Sequence, residues 1–108
     1  MKPQPPAQYA ARALVLKALA HPTRLLVVDE LRLHGRRCVC ELTALIGADI
    51  STVSRHLTIL KNAGIVHDEK HGAQVFYRLS MNCVPRFLTC VDSVLRNSAE
   101  EQARLFSS

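Results

Sequence analysis

The stretch STVSRHLTILKNAGIV, residues 51–66, decides the fold. Val53, Leu57 and Leu60 recur at i, i+4 and i+7, which is the spacing of one buried helix face, and Gly64 ends the pattern. Ser51 is a suitable N-cap because its hydroxyl can accept a hydrogen bond from a first-turn backbone N–H. The side chains predicted to lie opposite the buried face are polar: Ser51, Arg55, Thr58 and Asn62, with Thr52 near the edge.

A second short helix is predicted just before this one, over CVCELTALIG at residues 38–47. Two short helices joined by a tight turn containing glycine form a helix-turn-helix. Alternating apolar residues then predict strands at 65–69 and 74–79, joined by a turn at 70–73. A hairpin directly after a helix-turn-helix is a wing.

Helices are also predicted on both sides of this motif. They cover residues 9–20, 22–34 and about 84–103, and a short strand is expected near Cys38. The first and last helices carry more apolar surface than a three-helix core can cover. We therefore expect them to form a homodimer interface, although a two-layer monomer core is the alternative. The predicted fold is mostly α with a small β-hairpin: a winged helix-turn-helix with extra N- and C-terminal helices.

Composition sets the broad class of protein. The 108 residues are 48% hydrophobic and 21% charged, which excludes a largely disordered chain. No apolar stretch is long enough to cross a bilayer, and the proline-rich start is unlike a signal peptide, so we expect a cytoplasmic protein with no membrane partner. Residues 1–8 are predicted to be a flexible arm, 9–103 a DNA-binding and dimerisation domain, and 104–108 a tail.

The charge is unevenly distributed. The net charge is +5, which favours a nucleic-acid partner. Residues 12–37 hold six Lys and Arg against Asp29 and Glu30, a sum of +4, whereas residues 38–63 sum to zero. We therefore expect phosphate contacts to come partly from the helices that precede the motif, including Arg36 and Arg37.

Four cysteines are candidates for chemistry. In a reducing compartment cysteines more often bind metal or undergo redox reactions than form structural disulfides, with inert buried thiols as the alternative. Cys38 and Cys40 lie two apart where the chain enters a helix, so both sulfurs can reach one thiophilic ion such as As(III), Sb(III), Cd(II), Pb(II) or Zn(II). Cys83 and Cys90 are about 10 Å apart along a helix, so they cannot both bind one ion within it.

Enzymatic function is not expected. The sequence has no nucleophile–base constellation, phosphate-binding glycine loop or carboxylate pair. An interaction module that does not bind DNA remains the alternative of a different class.

Four stretches in the right order together give a resemblance to a known family. They are LKALAHPTRLLVVDEL (16–31), CVCEL (38–42), the stretch at 51–66, and HGAQVFYRL (71–79). The chain resembles the ArsR-type metalloregulators, which are small dimeric winged-helix repressors. The resemblance implies a repressor that binds palindromic operator DNA as a homodimer and is released when an inducer ion binds, As(III) being favoured.

The polar side of the helix over 51–62 is suited to base edges and phosphates, so its side chains are predicted DNA contacts: Ser51, Thr52, Arg55, Thr58 and Asn62. The resemblance also implies roles for individual residues. It adds Ser54 and His56 to these contacts, with a packing role as the alternative for His56. Lys70 and His71 are expected to contact DNA from the wing tip, which is less basic than is usual because Ala73 stands where arginine is common.

The resemblance places the inducer site at Cys38 and Cys40. A third cysteine of the arsenic-sensor pattern would fall at position 43, where this chain has Thr43. The third ligand must then be Cys83, Cys90 or an exogenous thiol. A thiol-redox or persulfide response, pairing Cys38 or Cys40 with Cys83 or Cys90, is the alternative function.

Overall fold

Helices dominate the chain, and a small sheet is formed by one short strand before the third helix and two strands between the fourth and fifth helices. The structure, a computed structural model, describes residues 6–106, apart from the side chain of Phe106. Its elements are α1 Ala7–Leu19, α2 Pro22–His34, β1 Arg37–Cys38, α3 Val39–Ile46, α4 Ile50–Asn62, β2 Val66–His71, β3 Gln74–Leu79 and α5 Cys83–Phe106. The predicted winged helix-turn-helix with an additional helix at each end is confirmed.

The sheet connects the wing to the helix-turn-helix. Its antiparallel strands have the order β1-β3-β2, and Cys38 of β1 lies opposite Phe76 of β3. The short strand predicted near Cys38 is therefore confirmed. The hairpin differs from the prediction, because His71 pairs with Gln74 and only Gly72 and Ala73 form the turn. Residues 70 and 71 extend β2 because both can pair with β3 there, and Gly72 supplies the positive φ of 63° that the tighter turn requires.

The core lies between α2, α3, α4 and the sheet. Val53, Leu57 and Leu60 of α4 are fully buried, as their spacing predicts, and Leu42 of α3 is buried with them. Burial of each such side chain stabilises the fold by about 1.5–3 kcal/mol. The buried face of α4 therefore orients its polar face outward.

Two predicted boundaries are wrong. Helix α1 begins at Ala7, two residues before the expected start, with Pro6 as its N-cap. Proline is well suited to a helix start, because the position needs no backbone N–H donor. Helix α5 continues to Phe106, so most of the predicted tail is helical. Residues 1–5 and 107–108 lie outside the described part, so the flexible arm predicted there and the end of the tail stay predictions.

The terminal helices expose apolar side chains. On α1, Leu14 is 66% exposed and Leu16 is 51% exposed. On α5, Val94 and Leu95 are 63% and 64% exposed. Within residues 6–106, no helix combines the length and apolar character needed to cross a membrane.

Candidate DNA-binding surface and cysteine site

The outer side of α4 is a polar surface, which we call the reading face. Most of the predicted contacts are exposed there, while Thr52 and His56 are half-buried at its margins. The exposed members of the reading face are Ser51, Ser54, Arg55, Thr58 and Asn62. Hydroxyl, amide and guanidinium groups can contact base edges and phosphates, so this face is chemically suited to a DNA groove.

The N-cap of α4 is Asp49, and the prediction of Ser51 in that role is wrong. The Asp49 carboxylate accepts a hydrogen bond from the Thr52 backbone N–H at 3.1 Å, and the Ser51 hydroxyl donates to it at 3.1 Å. These hydrogen bonds, from Thr52 first and then Ser51, hold the pKa of Asp49 below its ordinary value. Aspartate also interacts favourably with the positive helix end, so it takes the cap and Ser51 falls within the first turn.

His56 points inward to the corner between α1 and α2. Its Nδ1 lies 3.2 Å from Arg24 Nη1, and its ring centroid lies 4.4 Å from that of His21. Burial, followed by the nearby charges of His21, Arg24 and Arg55, lowers the pKa of His56. Of the two roles predicted for His56, DNA contact and helix packing, these contacts are the ones expected for packing.

The wing carries Lys70 and His71 near its tip, both exposed. His71 Nε2 lies 3.3 Å from Arg36 Nη1 and 3.3 Å from Glu69 Oε2. The Arg36 guanidinium lies 4.6 Å from the centre of the Phe76 ring, so Arg36 is held on the wing beside the predicted contacts.

Carboxylates neutralise several basic groups near this surface. Arg37 forms ion pairs with Glu41 and, at 3.6 Å, with Glu30. Lys61 pairs with Asp68 at 3.1 Å. The neighbouring residues Arg36 and Arg37 therefore have different surroundings. Arg36 packs against the wing, whereas Arg37 is paired with two carboxylates.

Cys38 and Cys40 are joined by a disulfide, with their Cα atoms 5.3 Å apart. Cys38 is buried and is the N-cap of α3: its sulfur accepts from the Glu41 backbone N–H at 3.3 Å, and its own N–H donates to the Glu41 carboxylate at 3.1 Å. This reciprocal pair is a capping box. The hydrogen bond from Cys38 is the leading cause that lowers the pKa of Glu41.

A cleft of about 350 Å³ connects the two cysteines with the DNA-binding elements. Ile50, the first residue of α4, contributes to one side, and the wing contributes Ala73, Gln74 and Val75. Any group bound to the sulfurs would therefore lie against both the start of α4 and the wing.

The other two cysteines, predicted as additional ligands, are not part of the disulfide between Cys38 and Cys40. Cys83 and Cys90 on α5 are exposed free thiols. Within residues 6–106, no group of three or more His, Cys, Asp or Glu side chains is arranged to hold a metal ion. The Thr43 hydroxyl, at the position of the missing cysteine, donates to the Val39 carbonyl at 2.7 Å. Within residues 6–106, the structure therefore brings Cys38 and Cys40 together, as a disulfide, and places no third predicted ligand beside them.

Sequence reasoning missed two of these features. The capping box had a signal, because Cys-x-x-Glu has the spacing of the Ser-x-x-Glu box. The contact of His56 with Arg24 had none, because 32 residues separate them.

Comparison with known proteins identifies the family. Residues 21–68 match the profile described as bacterial regulatory protein, arsR family. An uncharacterized HTH-type transcriptional regulator of Methanocaldococcus jannaschii is 36% identical over 87 residues, which is 81% of this chain and 98% of that protein. The arsenical resistance operon repressor of Escherichia coli is 34% identical over 81% of this chain and 74% of its own length.

A solved structure agrees with this assignment. The homodimeric winged helix-turn-helix DNA-binding domain Mb0332 of Mycobacterium bovis, a possible ArsR-family regulator, is 31% identical with a TM-score of 0.75. The match covers 89% of this chain and 91% of that one. The chain therefore belongs to the ArsR family of bacterial regulatory proteins, and it is a DNA-binding transcription regulator rather than an enzyme.

Proposed function

We propose that this chain is a homodimeric repressor that binds operator DNA and leaves it when a thiophilic ion binds Cys38 and Cys40. The observation that carries the proposal is the cleft shared by the two cysteines, the first residue of α4 and the wing. Ion binding there changes the packing of the elements that touch DNA. A local change at a bistable element is how such ligands act on a distant readout.

The proposed DNA contacts follow from exposure and chemistry. The reading face of α4 enters the major groove, and Lys70 with His71 contacts the backbone or minor groove from the wing. Ser51 keeps its oxygen lone pairs available to DNA because its proton is donated to Asp49. Arg36, held beside His71, adds a positive charge at the same edge.

The homodimer is supported by the apolar faces of α1 and α5 and by the homodimeric relative from Mycobacterium bovis. A two-fold dimer presents two copies of α4, which matches a palindromic operator.

As(III) is the inducer we favour, because the Escherichia coli relative is named an arsenical resistance operon repressor. In the reduced protein both sulfurs of the Cys38–Cys40 pair can bind one ion, and the Glu41 N–H stabilises negative charge on Cys38. The third donor is an exogenous thiol, since the described residues offer only two sulfurs there.

Arsenite titration of the reduced protein tests the proposal. We expect arsenite to release wild-type protein from a labelled duplex of its own promoter, measured by fluorescence anisotropy. The Cys38→Ser/Cys40→Ser variant should bind the duplex but not respond. A matched Cys83→Ser/Cys90→Ser variant should respond like wild type, and its failure would place the third donor on α5. Full release of the Cys38→Ser/Cys40→Ser variant would contradict the proposal.

A redox response is the second candidate, and the Cys38–Cys40 disulfide favours it. The pairing differs from the predicted one, because Cys83 and Cys90 are free in this structure. Oxidation by hydrogen peroxide would form the disulfide from two thiols and yield two waters. In the same assay, release by peroxide with a mass loss of two hydrogens would support this function. Oxidised protein that still binds DNA would exclude it.

A further inference from the structure

A cluster of three half-buried side chains joins the corner between α1 and α2 to helix α4. The members are His21, Arg24 and His56, and we call them the corner cluster. His56 lies on α4 between the buried Leu57 and the exposed Arg55, so the cluster contacts α4 beside its reading face.

Arg24 lies on α2 and contacts both α1 and α4. From α2, its Nε donates to the Ala18 carbonyl of α1 at 2.6 Å, and its Nη2 lies 3.4 Å from the Lys17 carbonyl. Carbonyls at a helix C-terminus need donors from outside the helix, so Arg24 caps α1. Its remaining contact, from Nη1 to His56 Nδ1 at 3.2 Å, connects the capped end of α1 to α4.

The donor and acceptor roles define the state of His56. Arginine only donates hydrogen bonds, so Nδ1 of His56 must accept, and the proton of its neutral ring is on Nε2. His21 has the same arrangement, because its Nδ1 accepts from the Thr23 backbone N–H at 3.1 Å as the N-cap of α2. Protonation of His56 would place an N–H against the Arg24 guanidinium and break the contact.

We propose that His56 is a positioning residue that, in its neutral form, holds α4 against the corner cluster and thereby orients the reading face towards DNA. The proposal rests on the proposed DNA binding and assigns His56 an internal role within it. The charged or titratable groups around His56 are His21, the N-cap of α2, Arg24 of α2 and Arg55 of α4 itself. A positive charge on any of them opposes protonation of His56.

Acidification should therefore weaken operator binding. Added positive charge generally tightens binding to DNA, so a fall in affinity as the pH is lowered below 6.5, the ordinary pKa of histidine, and through the lowered pKa of His56 would run against the general trend. We expect a several-fold fall for the wild-type chain. The conservative variant His56→Asn has an amide oxygen that can replace Nδ1 as acceptor but does not titrate. We expect it to retain wild-type affinity within about twofold and to lose the fall with acidification.

Removal of the contact distinguishes positioning from direct DNA contact. His56→Leu and Arg24→Leu should each weaken promoter-duplex binding at neutral pH by roughly tenfold, and the double variant should be no weaker than either one. His34→Asn, an exposed histidine at the other end of α2, is the matched control and should leave affinity and its pH dependence unchanged. Additive losses in the double variant would instead assign His56 to DNA contact and overturn the proposal.

The free protein provides a readout that does not depend on DNA binding. Long-range 1H–15N spectra of the histidine rings should show His56 with its proton on Nε2 and a pKa below the ordinary 6.5. A proton on Nδ1 in the neutral ring would overturn the inference even if the protein binds DNA. If no variant or wild-type chain binds the duplex, the proposed function fails, while these spectra and a double-mutant cycle in thermal unfolding still test the contact between Arg24 and His56.

Discussion

Helices α4 and α5 have apolar residues at the same spacing but in different surroundings. On α4, Val53, Leu57 and Leu60 occur at i, i+4 and i+7 and are fully buried. On α5, Phe87, Val91 and Val94 occur at the same spacing and are 46%, 41% and 63% exposed. The spacing of apolar residues is thus identical in the two helices, whereas within residues 6–106 only the apolar face of α4 is fully covered.

The two faces contribute to stability in different ways, one within a single chain and the other through association of chains. The buried face of α4 belongs to the core formed within one chain, so its contribution does not depend on protein concentration. The exposed face of α5 is buried only when a partner covers it, so its contribution depends on association. Under the proposed dimer, the core orients each reading face and α5 sets the distance between the two copies.

A charge on the apolar face of α5 provides the strongest test of this difference. Val94→Glu would bury two carboxylates, one from each protomer, in the proposed two-fold interface. We expect the dimer dissociation constant to rise by about a hundredfold or more, measured by sedimentation equilibrium, and operator affinity to fall with it. The fold of the single chain should persist, as judged by circular dichroism.

The matched control places the same charge elsewhere on α5. Ala103 is exposed and lies nine residues after Val94, which at 3.6 residues per turn places it on the opposite side of α5, so Ala103→Glu should leave the dimer intact. Equal effects of the two substitutions would show that this apolar face is not the interface.

One substitution made in both helices measures the difference in burial directly. Val53→Ala removes two methyl groups from a fully buried site and should lower the free energy of unfolding by about 2 kcal/mol at any protein concentration. Val94→Ala should cost less than about 0.5 kcal/mol at concentrations where the chain is monomeric. Urea unfolding over a range of protein concentrations measures both, and equal costs in dilute protein would mean that α5 packs onto its own chain.

Much of the fold was predictable because its determinants are local in sequence. The buried spacing of α4, the helix start at Pro22 and the glycines that end α2 and α3 each depend on residues within one or two turns. Element ends were less predictable where alternatives of similar stability compete. Ser51 and Asp49 are both good N-caps, and only the structure shows that Asp49 takes the position.

The candidate site was predictable in part, for a related reason. The outward side of α4 follows from its own buried side, so the reading face could be named from sequence. The surroundings of Cys38, Cys40 and His56 could not, because they depend on β1 pairing with β3 and on contacts between distant helices. Those surroundings relate the cysteines to the wing and His56 to the end of α1.

Substitution of Asp49, the N-cap of α4, should have a smaller effect than the substitutions on the apolar faces of α4 and α5. Asp49→Ala removes the acceptor for the Thr52 N–H and should lower the melting temperature by roughly 5 °C, measured by circular dichroism. Asp49→Asn keeps an acceptor without a charge and should cost less at neutral pH.

The pH dependence of this difference identifies the charge contribution. Because the pKa of Asp49 is lowered in the folded state, its charge stabilises the protein above its ordinary value of 3.8, and this stabilisation is lost as the pH falls through the lowered value. The advantage of wild type over Asp49→Asn should therefore be present at neutral pH and shrink on acidification below about pH 5. An advantage that stays constant down to acid unfolding would mean that hydrogen-bond geometry, and not charge, makes Asp49 the cap of α4.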